Sequence, residues 1–346
     1  MRIKTPSRLH MTLIDLNGSY GRSDGGIGLT LSDPFISLKG ELAESGISID
    51  FAPDILEASK EEATLKITNA AKRLIEHFSI DNGFHFTLES AYPPHSGLGS
   101  GTQFSLATGR LIVELLKDEL NLEYDRNVTN YNSNDPNVYS GHKLGEILKR
   151  GGTSGIGIFS FDHGGFIVDG GHNLVEKGTC LPSSDFPAKP PVLIGRYDFP
   201  KDWEIVVAIP NGDNTVTGEK EIDLFAEYCP VPKTDVEQLS HLIFMNSVPF
   251  LLEKDIEQFG DSINQIQNYG FKHAEITIQP DNVKELMEKM REFGAYGVGM
   301  SSFGPTTYGI TQGNTKEVYK ATKDYLGENS YVFTTKAQNT GHTLEK

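Results

Sequence analysis

The chain has 346 residues and a mass of 38.1 kDa, about twice the size of a usual domain, so we expect two domains. Hydrophobic residues make up 37% of the chain and charged residues 23%, a composition that excludes a wholly disordered or collagen-like protein. Asp and Glu number 47 against 31 Lys and Arg, which gives a formal net charge of −16. Because such a surface repels nucleic acid and anionic lipid, a phosphorylated ligand must be held by a local group of amides, arginines or a metal ion.

The sequence indicates a cytoplasmic protein. Its two cysteines, Cys180 and Cys229, are too few for a disulfide framework and lack the spacing of a zinc site, as do the ten histidines. The N-terminal residues lack the apolar stretch of a signal peptide, and no uncharged run reaches the roughly 18 residues that a membrane span needs. We therefore expect neither a membrane nor a nucleic acid among its partners.

The first half of the chain predicts strands that alternate with helices. Residues 8–13 alternate between apolar and polar side chains and predict a strand, with Arg8 and His10 together on one face. Further strands are predicted from apolar runs at 27–31, 35–38 and 84–88. Helices are predicted from the 3.6-residue recurrence of apolar side chains at 60–78 and 104–116.

The second half also mixes strands and helices, which is typical of an α+β protein. Five prolines lie between Pro182 and Pro200, where we expect a linker and place the domain boundary, so the predicted domains are 1–190 and 191–346. The elements predicted around this linker are a short helix near 142–150, two strands within 156–168, a buried strand at 203–210, and helices within 234–269 and 283–293.

The strongest local motif is a glycine-rich loop at the start of the second predicted helix. It reads Pro-His-Ser-Gly-Leu-Gly-Ser-Gly-Thr-Gln over residues 94–103. Its glycines allow positive φ and a close approach to a ligand, and the first amides of a helix favour an anion. The alternative is a turn that Ser100 or Thr102 caps. The candidate phosphate-binding residues are Gly97, Leu98, Gly99, Ser100, Gly101, Thr102 and Gln103.

This loop resembles the phosphate-binding motif of the GHMP kinase superfamily, whose members bind ATP over such a loop. Residues 299–306, Gly-Met-Ser-Ser-Phe-Gly-Pro-Thr, resemble the third motif of that superfamily, and residues 5–16 occupy the place of its first. The resemblance implies a two-domain α+β fold of the GHMP kinase type. It also implies that Ser301, Ser302 and Gly304 close the site or contact a sugar phosphate, whereas without it a turn at a strand end is the simpler interpretation.

Six blocks in chain order resemble a narrower branch, the β-ribofuranosylaminobenzene 5′-phosphate synthases of archaeal methanopterin biosynthesis. The blocks are TPSRLHMTLIDLNG, GRSDGGIGLTL, SGLGSGTQ, GGTSGIGIFSF, GGFIVDGGH and MSSFGPTTYG. This resemblance implies that 4-aminobenzoate, or a related hydroxybenzoate, condenses with phosphoribosyl pyrophosphate and that CO2 and pyrophosphate leave. Mg²⁺ as cofactor and a homodimer are further implications.

Two positions depart from the kinases of the superfamily. Gly101 stands where many kinases have a second serine that helps to hold magnesium, and Gly157 stands where they have an aspartate beside the acceptor hydroxyl. A kinase without that carboxylate loses general-base or electrostatic help, so ordinary kinase activity is disfavoured. Two alternatives stay open: a small-molecule kinase that uses another carboxylate, such as Asp15 or Asp162, and a ligand sensor without catalysis.

Four residues in the first two blocks are candidates for catalysis. Arg8 and His10 are expected to bind phosphate or carboxylate, and the alternative is that they are solvated strand residues. Arg22 and Asp24 lie in a bend with more glycines than a simple hairpin turn needs, which favours a functional loop.

The sequence offers one candidate metal ligand. Glu146 lies eight positions before Ser154, the offset at which several GHMP kinases carry a magnesium-binding glutamate, yet on an amphipathic helix it is equally a surface residue. Asp169 and His172, in the block GGFIVDGGH, are given no catalytic role.

Overall fold

The computed structural model describes residues 1–178, 189–210, 219–328 and 330–346. Cys180 and the prolines at 182 and 187, on which part of the predictions about cysteines and the linker rests, lie outside these ranges. Among the described residues, no helix has the length and apolar character needed to cross a lipid bilayer.

The first sheet is built around two long antiparallel strands, β1 (Arg2–Asp15) and β2 (Arg22–Ala43). Within the described residues it has eight strands. The others are β3 (Ile47–Phe51), β4 (Gly83–Ser90), β7 (Phe166–Asp169), β8 (His172–Asn173), β9 (Leu193–Tyr197) and β14 (Thr343–Glu345). The predicted strands at 8–13, 27–31, 35–38 and 84–88 are confirmed as parts of β1, β2 and β4.

Two long helices, α1 (Glu57–Phe78) and α2 (Ser100–Leu120), pack against each other beside this sheet, and both predicted helices are thereby confirmed. Ala63, Ile67 and Leu74 bury the apolar stripe of α1, as the 3.6-residue spacing predicts. The smaller elements of this part are β5 (Glu123–Tyr124), β6 (Val138–Tyr139), α3 (Gly141–Ile147), α4 (Ile156–Asp162) and α5 (Leu174–Lys177).

Residues 156–162 form α4, so the first of the two strands predicted within 156–168 is wrong, while the second is confirmed as β7. Every residue of α4 is buried. Its apolar side chains therefore lie on all sides, and their spacing does not distinguish a helix from a strand.

The second sheet is antiparallel and has the strand order β11 (Gly297–Met300), β12 (Thr307–Thr311), β10 (Glu204–Ile209) and β13 (Tyr331–Lys336). The buried strand at 203–210 and the helix at 283–293 are confirmed. The helices of this part are α6 (Glu219–Tyr228), α7 (Lys233–His241), a π-helix (Leu242–Ser247), α8 (Val248–Glu253), α9 (Ile256–Ile266), α10 (Gly270–Thr277), α11 (Asp281–Glu292) and α12 (Thr315–Leu326).

Two strands from beyond residue 190 pair with the first sheet, and the predicted domain boundary stays a prediction. β9 begins after residue 191 yet pairs with β7, and β14 returns from the C-terminal end to pair with β1. Four buried aromatic residues, with ring centroids 5.2–5.8 Å apart, join the two sheets: Phe166, Phe199, Trp203 and Phe259. This shared core holds the two parts together, so that the glycine loop at 94–103 and the loop between β11 and β12 meet between them.

Candidate active site

The glycine loop bends from β4 into the start of α2. Gly97 and Gly99 have φ angles of 84° and 85°, which glycine adopts without a Cβ penalty. Gly99 immediately precedes α2, and no side chain in the described structure caps this helix end, so the alternative of a turn capped by Ser100 or Thr102 is wrong. The first amides of α2 thus have no partner within the helix and suit an anion.

Arg8 lies directly against this loop. Its Nη1 atom donates to the carbonyl oxygen of Gly97 at 2.5 Å, and a Cβ at Gly99 would lie 3.0 Å from its Cζ atom. Burial is the main cause that lowers the pKa of Arg8 to about 10, and Arg150 adds to it, so the side chain stays charged at neutral pH. Its Nε atom is buried and has no hydrogen-bond partner in the described part of the chain, which leaves one donor for a ligand.

Two further cations lie around the first turn of α2. A Cβ at Gly101 would lie 3.3 Å from Cε of Lys66 and 3.7 Å from Nη2 of Arg150. Arg150 also donates to the hydroxyl of Thr102 at 2.9 Å. Burial, and then the charge of Arg150, lowers the pKa of Lys66. With Arg8, these residues form a cationic site in a chain of net negative charge.

The other predicted loop residues have different partners. Ser100 donates to Oε2 of Glu62 at 2.7 Å, and the side chain of Gln103 donates to the carbonyl oxygen of Gly157 at 2.8 Å. Leu98 is buried in the core, and its carbonyl oxygen accepts from the amide of Arg8 at 3.1 Å. Leu98 and Gln103 therefore hold the loop in place.

The loop between β11 and β12 meets the glycine loop from the other side. Ser301 donates through its hydroxyl to the carbonyl oxygen of Gly97 at 2.7 Å and accepts from the amide of His10 at 2.9 Å. The amide of Ser302 donates to the carbonyl oxygen of His10 at 2.9 Å. The amide of Gly304 donates to the carbonyl oxygen of Ser301 at 3.0 Å. These contacts bring all three predicted residues of the second loop beside the first loop.

Lys272, on α10, supports this second loop. This role is not among those predicted from the sequence. The fully buried ammonium donates to the carbonyl oxygens of Met300 and Ser302, each at 3.1 Å, and pairs with Glu275. Burial lowers the pKa of Lys272 and raises that of Glu275. A lysine three residues before a glutamate on a helix usually indicates an exposed pair, so this role has no signal in the sequence.

His10 belongs to a hydrogen-bonded chain of three side chains. Its Nε2 atom lies 3.1 Å from Oγ of Ser154, which lies 3.2 Å from Oδ2 of Asp169. Burial, with the charges of Arg8 and Lys272, lowers the pKa of His10 well below its ordinary value. Burial also raises the pKa of Asp169 to about 6. No catalytic role is predicted for Ser154 or Asp169 from the sequence, although an acid at the end of a buried strand before two glycines is an available signal.

The position where the kinases carry an aspartate is tightly packed. A Cβ at Gly157 would lie 3.1 Å from Cγ2 of Thr102. The alternative kinase carboxylates are engaged elsewhere: Asp15 accepts from the amides that follow it, and Asp162 accepts from Tyr124 at 2.5 Å. The carboxylate that reaches the 153–157 block is Asp169, which accepts from the amide of Gly155 at 3.0 Å.

Arg22 and Asp24 lie behind this chain of side chains. Arg22 is exposed and donates to the carbonyl oxygens of residues 170 and 171, which immediately follow Asp169. Asp24 is buried, and its carboxylate accepts from Lys177 at 2.7 Å and pairs with Nδ1 of His172 at 2.6 Å. Both residues thus hold the turn that carries Asp169, and a direct part in catalysis stays a prediction.

Glu146, the metal ligand predicted from the sequence, takes part in none of the loop contacts described above. Glu146 is exposed and hydrogen-bonded to Asn130. Glu62 lies at the loop instead, where its Oε1 atom would be 3.1 Å from a Cβ at Gly101 while Oε2 accepts from Ser100. The described residues contain no group of three or more His, Cys, Asp or Glu arranged to hold a metal. One carboxylate and one hydroxyl are oxygen ligands of the kind that Mg²⁺ takes, and they leave most of its coordination positions to other ligands.

Comparison with known proteins identifies the family. Family models of the GHMP kinases match the N-terminal domain over residues 66–156 and the C-terminal domain over 247–326. The β-ribofuranosylphenol 5′-phosphate synthase of Methanothermobacter thermautotrophicus is 45% identical over 96% of this chain and 95% of its own length. The protein of that name from Methanocaldococcus jannaschii is 40% identical over 99% of this chain and 100% of its own.

The solved structures show the fold. The structure of L. major mevalonate kinase in complex with R-mevalonate matches this chain with a TM-score of 0.69 at 15% sequence identity. The match covers 99% of this chain and 97% of the kinase chain. The predicted α+β architecture of the GHMP kinase type is therefore confirmed. The full-length identity to the archaeal synthases is far higher, and the chain belongs to the family of the β-ribofuranosylphenol 5′-phosphate synthases.

Proposed function

We propose that this protein is a β-ribofuranosylphenol 5′-phosphate synthase. It joins the ring carbon that bears the carboxylate of 4-hydroxybenzoate, or of 4-aminobenzoate, to the anomeric carbon of phosphoribosyl pyrophosphate, with release of pyrophosphate and CO2. The name of the relatives specifies a phenol, which is the product of the hydroxybenzoate, whereas the aminobenzoate gives the corresponding aniline. The observation that carries the proposal is the arrangement of Arg8, Lys66 and Arg150 around the amides of α2, with no carboxylate at Gly157.

These residues suit a leaving diphosphate. Cleavage of the anomeric carbon–oxygen bond builds negative charge on pyrophosphate and positive charge on the sugar ring. The amides at the start of α2 and the guanidinium of Arg8 are fixed in advance where that negative charge appears, which lowers the barrier. Closure by Ser301, which links the two loops, keeps the reacting groups in position. Loss of CO2 restores the aromatic ring without a cofactor as electron sink.

Mg²⁺ is part of this proposal. Glu62 and Ser100 would hold the ion beside the diphosphate, and the bound ion neutralises charge on the leaving group. The residues of this chain orient the diphosphate through Arg8 and the α2 amides whether or not the ion contributes.

The proposal includes a cytoplasmic homodimer. Three large apolar side chains are exposed on the π-helix and α8: Phe244, Met245 and Leu252, at 41%, 62% and 60%. Such a patch supports a contact between subunits. Light scattering tests it, and a dimer that Met245→Glu converts to a monomer is the expected result.

The decisive experiment supplies Mg²⁺, phosphoribosyl pyrophosphate and carboxyl-labelled 4-hydroxybenzoate or 4-aminobenzoate to the purified protein. We expect labelled CO2 and pyrophosphate in equal amounts, and a large loss of both in Arg8→Ala. ATP with a panel of small alcohols is the parallel assay. Formation of ADP there, without CO2 release, would establish the kinase alternative, and ligand binding without turnover would establish the sensor.

A further inference from the structure

The hydrogen bonds around Ser154 fix the direction of the chain that joins His10 to Asp169. Asp169 accepts from the amides of Gly155 and Gly171, each at 3.0 Å, so both of its carboxylate oxygens act as acceptors. These two hydrogen bonds favour the ionised carboxylate, which has no proton to donate, although burial raises its pKa. Ser154 must therefore donate its single proton to Oδ2 of Asp169.

The serine oxygen accepts in turn. The amide of Ile156 donates to it at 3.2 Å, and Nε2 of His10 lies at 3.1 Å. Because the serine proton is already engaged, the proton of a neutral His10 ring must lie on Nε2 and point to Ser154. Nδ1 then carries a lone pair and no proton.

That lone pair has no partner in the part of the chain that the structure describes. His10 is only 7% exposed, and its Nδ1 atom has no hydrogen-bond partner among the described residues. The charged groups that act on the ring are Arg8 on its own strand and Lys272 on α10, with Asp169 behind Ser154. The two cations and burial keep the ring neutral before substrate binds. The negative charge of a bound diphosphate would offset the two cations and raise the pKa of the ring, so that it can take a proton. An unpartnered buried acceptor is costly and indicates that a ligand supplies the donor.

The position of His10 relative to Arg8 indicates which part of the ligand it meets. The two residues lie two positions apart on one face of β1, which corresponds to about 7 Å along a strand. Arg8 contacts the loop that we assign to the diphosphate. The acceptor that attacks the adjacent sugar carbon would therefore lie on the side of His10.

We propose that Nδ1 of His10 is the general base that removes the proton from the para hydroxyl of the aromatic acceptor, with Ser154 and Asp169 as positioning residues. This inference rests on the proposed function. The O–H bond breaks and its electron pair moves through the ring, so that the carboxylate-bearing carbon bonds to the sugar while pyrophosphate leaves with its electron pair. The bond to the carboxylate then breaks as CO2, its pair restores the aromatic ring, and His10 returns the proton to oxygen.

The two acceptors differ in their need for this base. A phenol is a much better electron donor once its proton is removed. The amino group of 4-aminobenzoate donates its lone pair without losing a proton, and loss of CO2 regenerates the neutral amine. The role of His10 therefore predicts a selective loss with the hydroxybenzoate.

The test compares wild type with His10→Gln, whose amide keeps a donor toward Ser154 but has no basic nitrogen. We expect kcat with 4-hydroxybenzoate to fall by about 100-fold or more, a usual contribution of a general base, and kcat with 4-aminobenzoate to fall less than about tenfold. The KM for phosphoribosyl pyrophosphate should change little. Ser154→Ala and Asp169→Asn should show smaller losses with the same selectivity, and thermal melting checks that each variant is folded.

A measurement without turnover accompanies this test. Nitrogen NMR of the His10 ring should show the proton on Nε2 in wild type and a mixture of tautomers in Asp169→Asn. Equal losses with both acceptors, turnover of 4-aminobenzoate alone by wild type, or a proton on Nδ1 would each overturn the role of His10 and leave the proposed function standing. Failure of wild type to use either acceptor would overturn the proposed function itself, and the general-base role with it.

Discussion

Arg8, on β1, and Ser301, in the loop between β11 and β12, both donate to the carbonyl oxygen of Gly97, at 2.5 Å and 2.7 Å. Arg8 therefore holds the glycine loop in place, and in the proposed function it also presents positive charge to the diphosphate. We expect Arg8→Ala to lower kcat/KM for phosphoribosyl pyrophosphate by about 10- to 100-fold, since hydrogen bonds to charged groups are worth about 1.5–3 kcal/mol. Arg8→Lys should recover only part of the loss, because a lysine lacks the planar fork.

Steady-state kinetics with varied phosphoribosyl pyrophosphate measures this effect. Arg2, on the same strand, pairs with the surface residue Glu89, so Arg2→Ala is a matched control that should keep normal kinetics. Unchanged kinetics in Arg8→Ala would show that Arg8 binds no ligand and is only a strand residue.

Gly101 lies where a side chain would enter the cationic site. Its Cβ would be 3.1 Å from Glu62 and 3.3 Å from Lys66, both at flexible ends. We expect Gly101→Val to lower kcat/KM by about 100-fold, because small misplacements of reacting groups cost that much, and to change the free energy of unfolding by no more than about 2 kcal/mol. Urea unfolding and steady-state kinetics measure the two effects.

Gly101→Ala is the control for this substitution, since it adds only the Cβ and should have a smaller effect on turnover. A folded Gly101→Val protein with normal turnover would remove this end of α2 from the reaction.

The sequence predicts individual motifs better than it predicts which distant segments come into contact in the fold. The first strand and the two long helices follow from local periodicity and are confirmed. The glycine loop has the positive φ angles at Gly97 and Gly99 that its sequence favours, and its phosphate-binding role stays a prediction. Asp169 and Lys272 were missed because their roles depend on contacts with distant segments, with Ser154 and with the carbonyl oxygens of Met300 and Ser302. The strand at 156–162 was wrong for a related reason: burial on all sides removes the periodic signal.

Two glutamates compete for the role of magnesium ligand. Glu62 contacts Ser100 at the loop, whereas Glu146 is exposed and contacts Asn130. We expect Glu62→Gln to raise the Mg²⁺ concentration for half-maximal activity by about tenfold or more, in the range found for altered metal sites. Calorimetric binding of Mg²⁺ in the presence of pyrophosphate gives a second readout. Glu146→Gln should match wild type in both the activity and the calorimetric measurement. If Glu146→Gln weakens Mg²⁺ binding and Glu62→Gln does not, Glu146 is the metal ligand, as predicted from the sequence.

Asp24 and Lys177 form a buried ion pair beneath the turn of Asp169. We expect Lys177→Met to lower the free energy of unfolding by about 3–5 kcal/mol, because it leaves a buried carboxylate without its cation. Asp24→Asn in the same chain should restore most of that loss. Lys233→Met breaks an exposed pair with Glu237 and should cost at most about 1 kcal/mol.

The activity of this double variant decides the predicted catalytic role of Asp24. Turnover within about tenfold of wild type would show that Asp24 only supports the turn. A loss of 100-fold or more in the folded double variant would assign Asp24 to the reaction.

Asp162 makes stability depend on pH. Burial raises its pKa to about 7, against hydrogen bonds from Tyr124 and the amide of Gly141 that favour the ionised form. An unfolded aspartate has a pKa near 3.9, so the folded protein binds this proton more tightly. The stability that the proton provides is complete below about pH 4 and is lost as the pH rises to about 7.

His342 acts in the opposite direction, because burial lowers its pKa to about 3, so wild type alone does not isolate the effect of Asp162. Wild type and Asp162→Asn should therefore be compared by urea unfolding at pH 4.5 and 7.5. We expect Asp162→Asn to gain about 1–3 kcal/mol relative to wild type between these two values, since one pKa unit corresponds to about 1.4 kcal/mol. Asp198→Asn, which removes an exposed carboxylate, should follow wild type at both pH values. If the Asp162→Asn and wild-type stabilities change in parallel, Asp162 is ionised throughout this range and its two hydrogen bonds outweigh its burial.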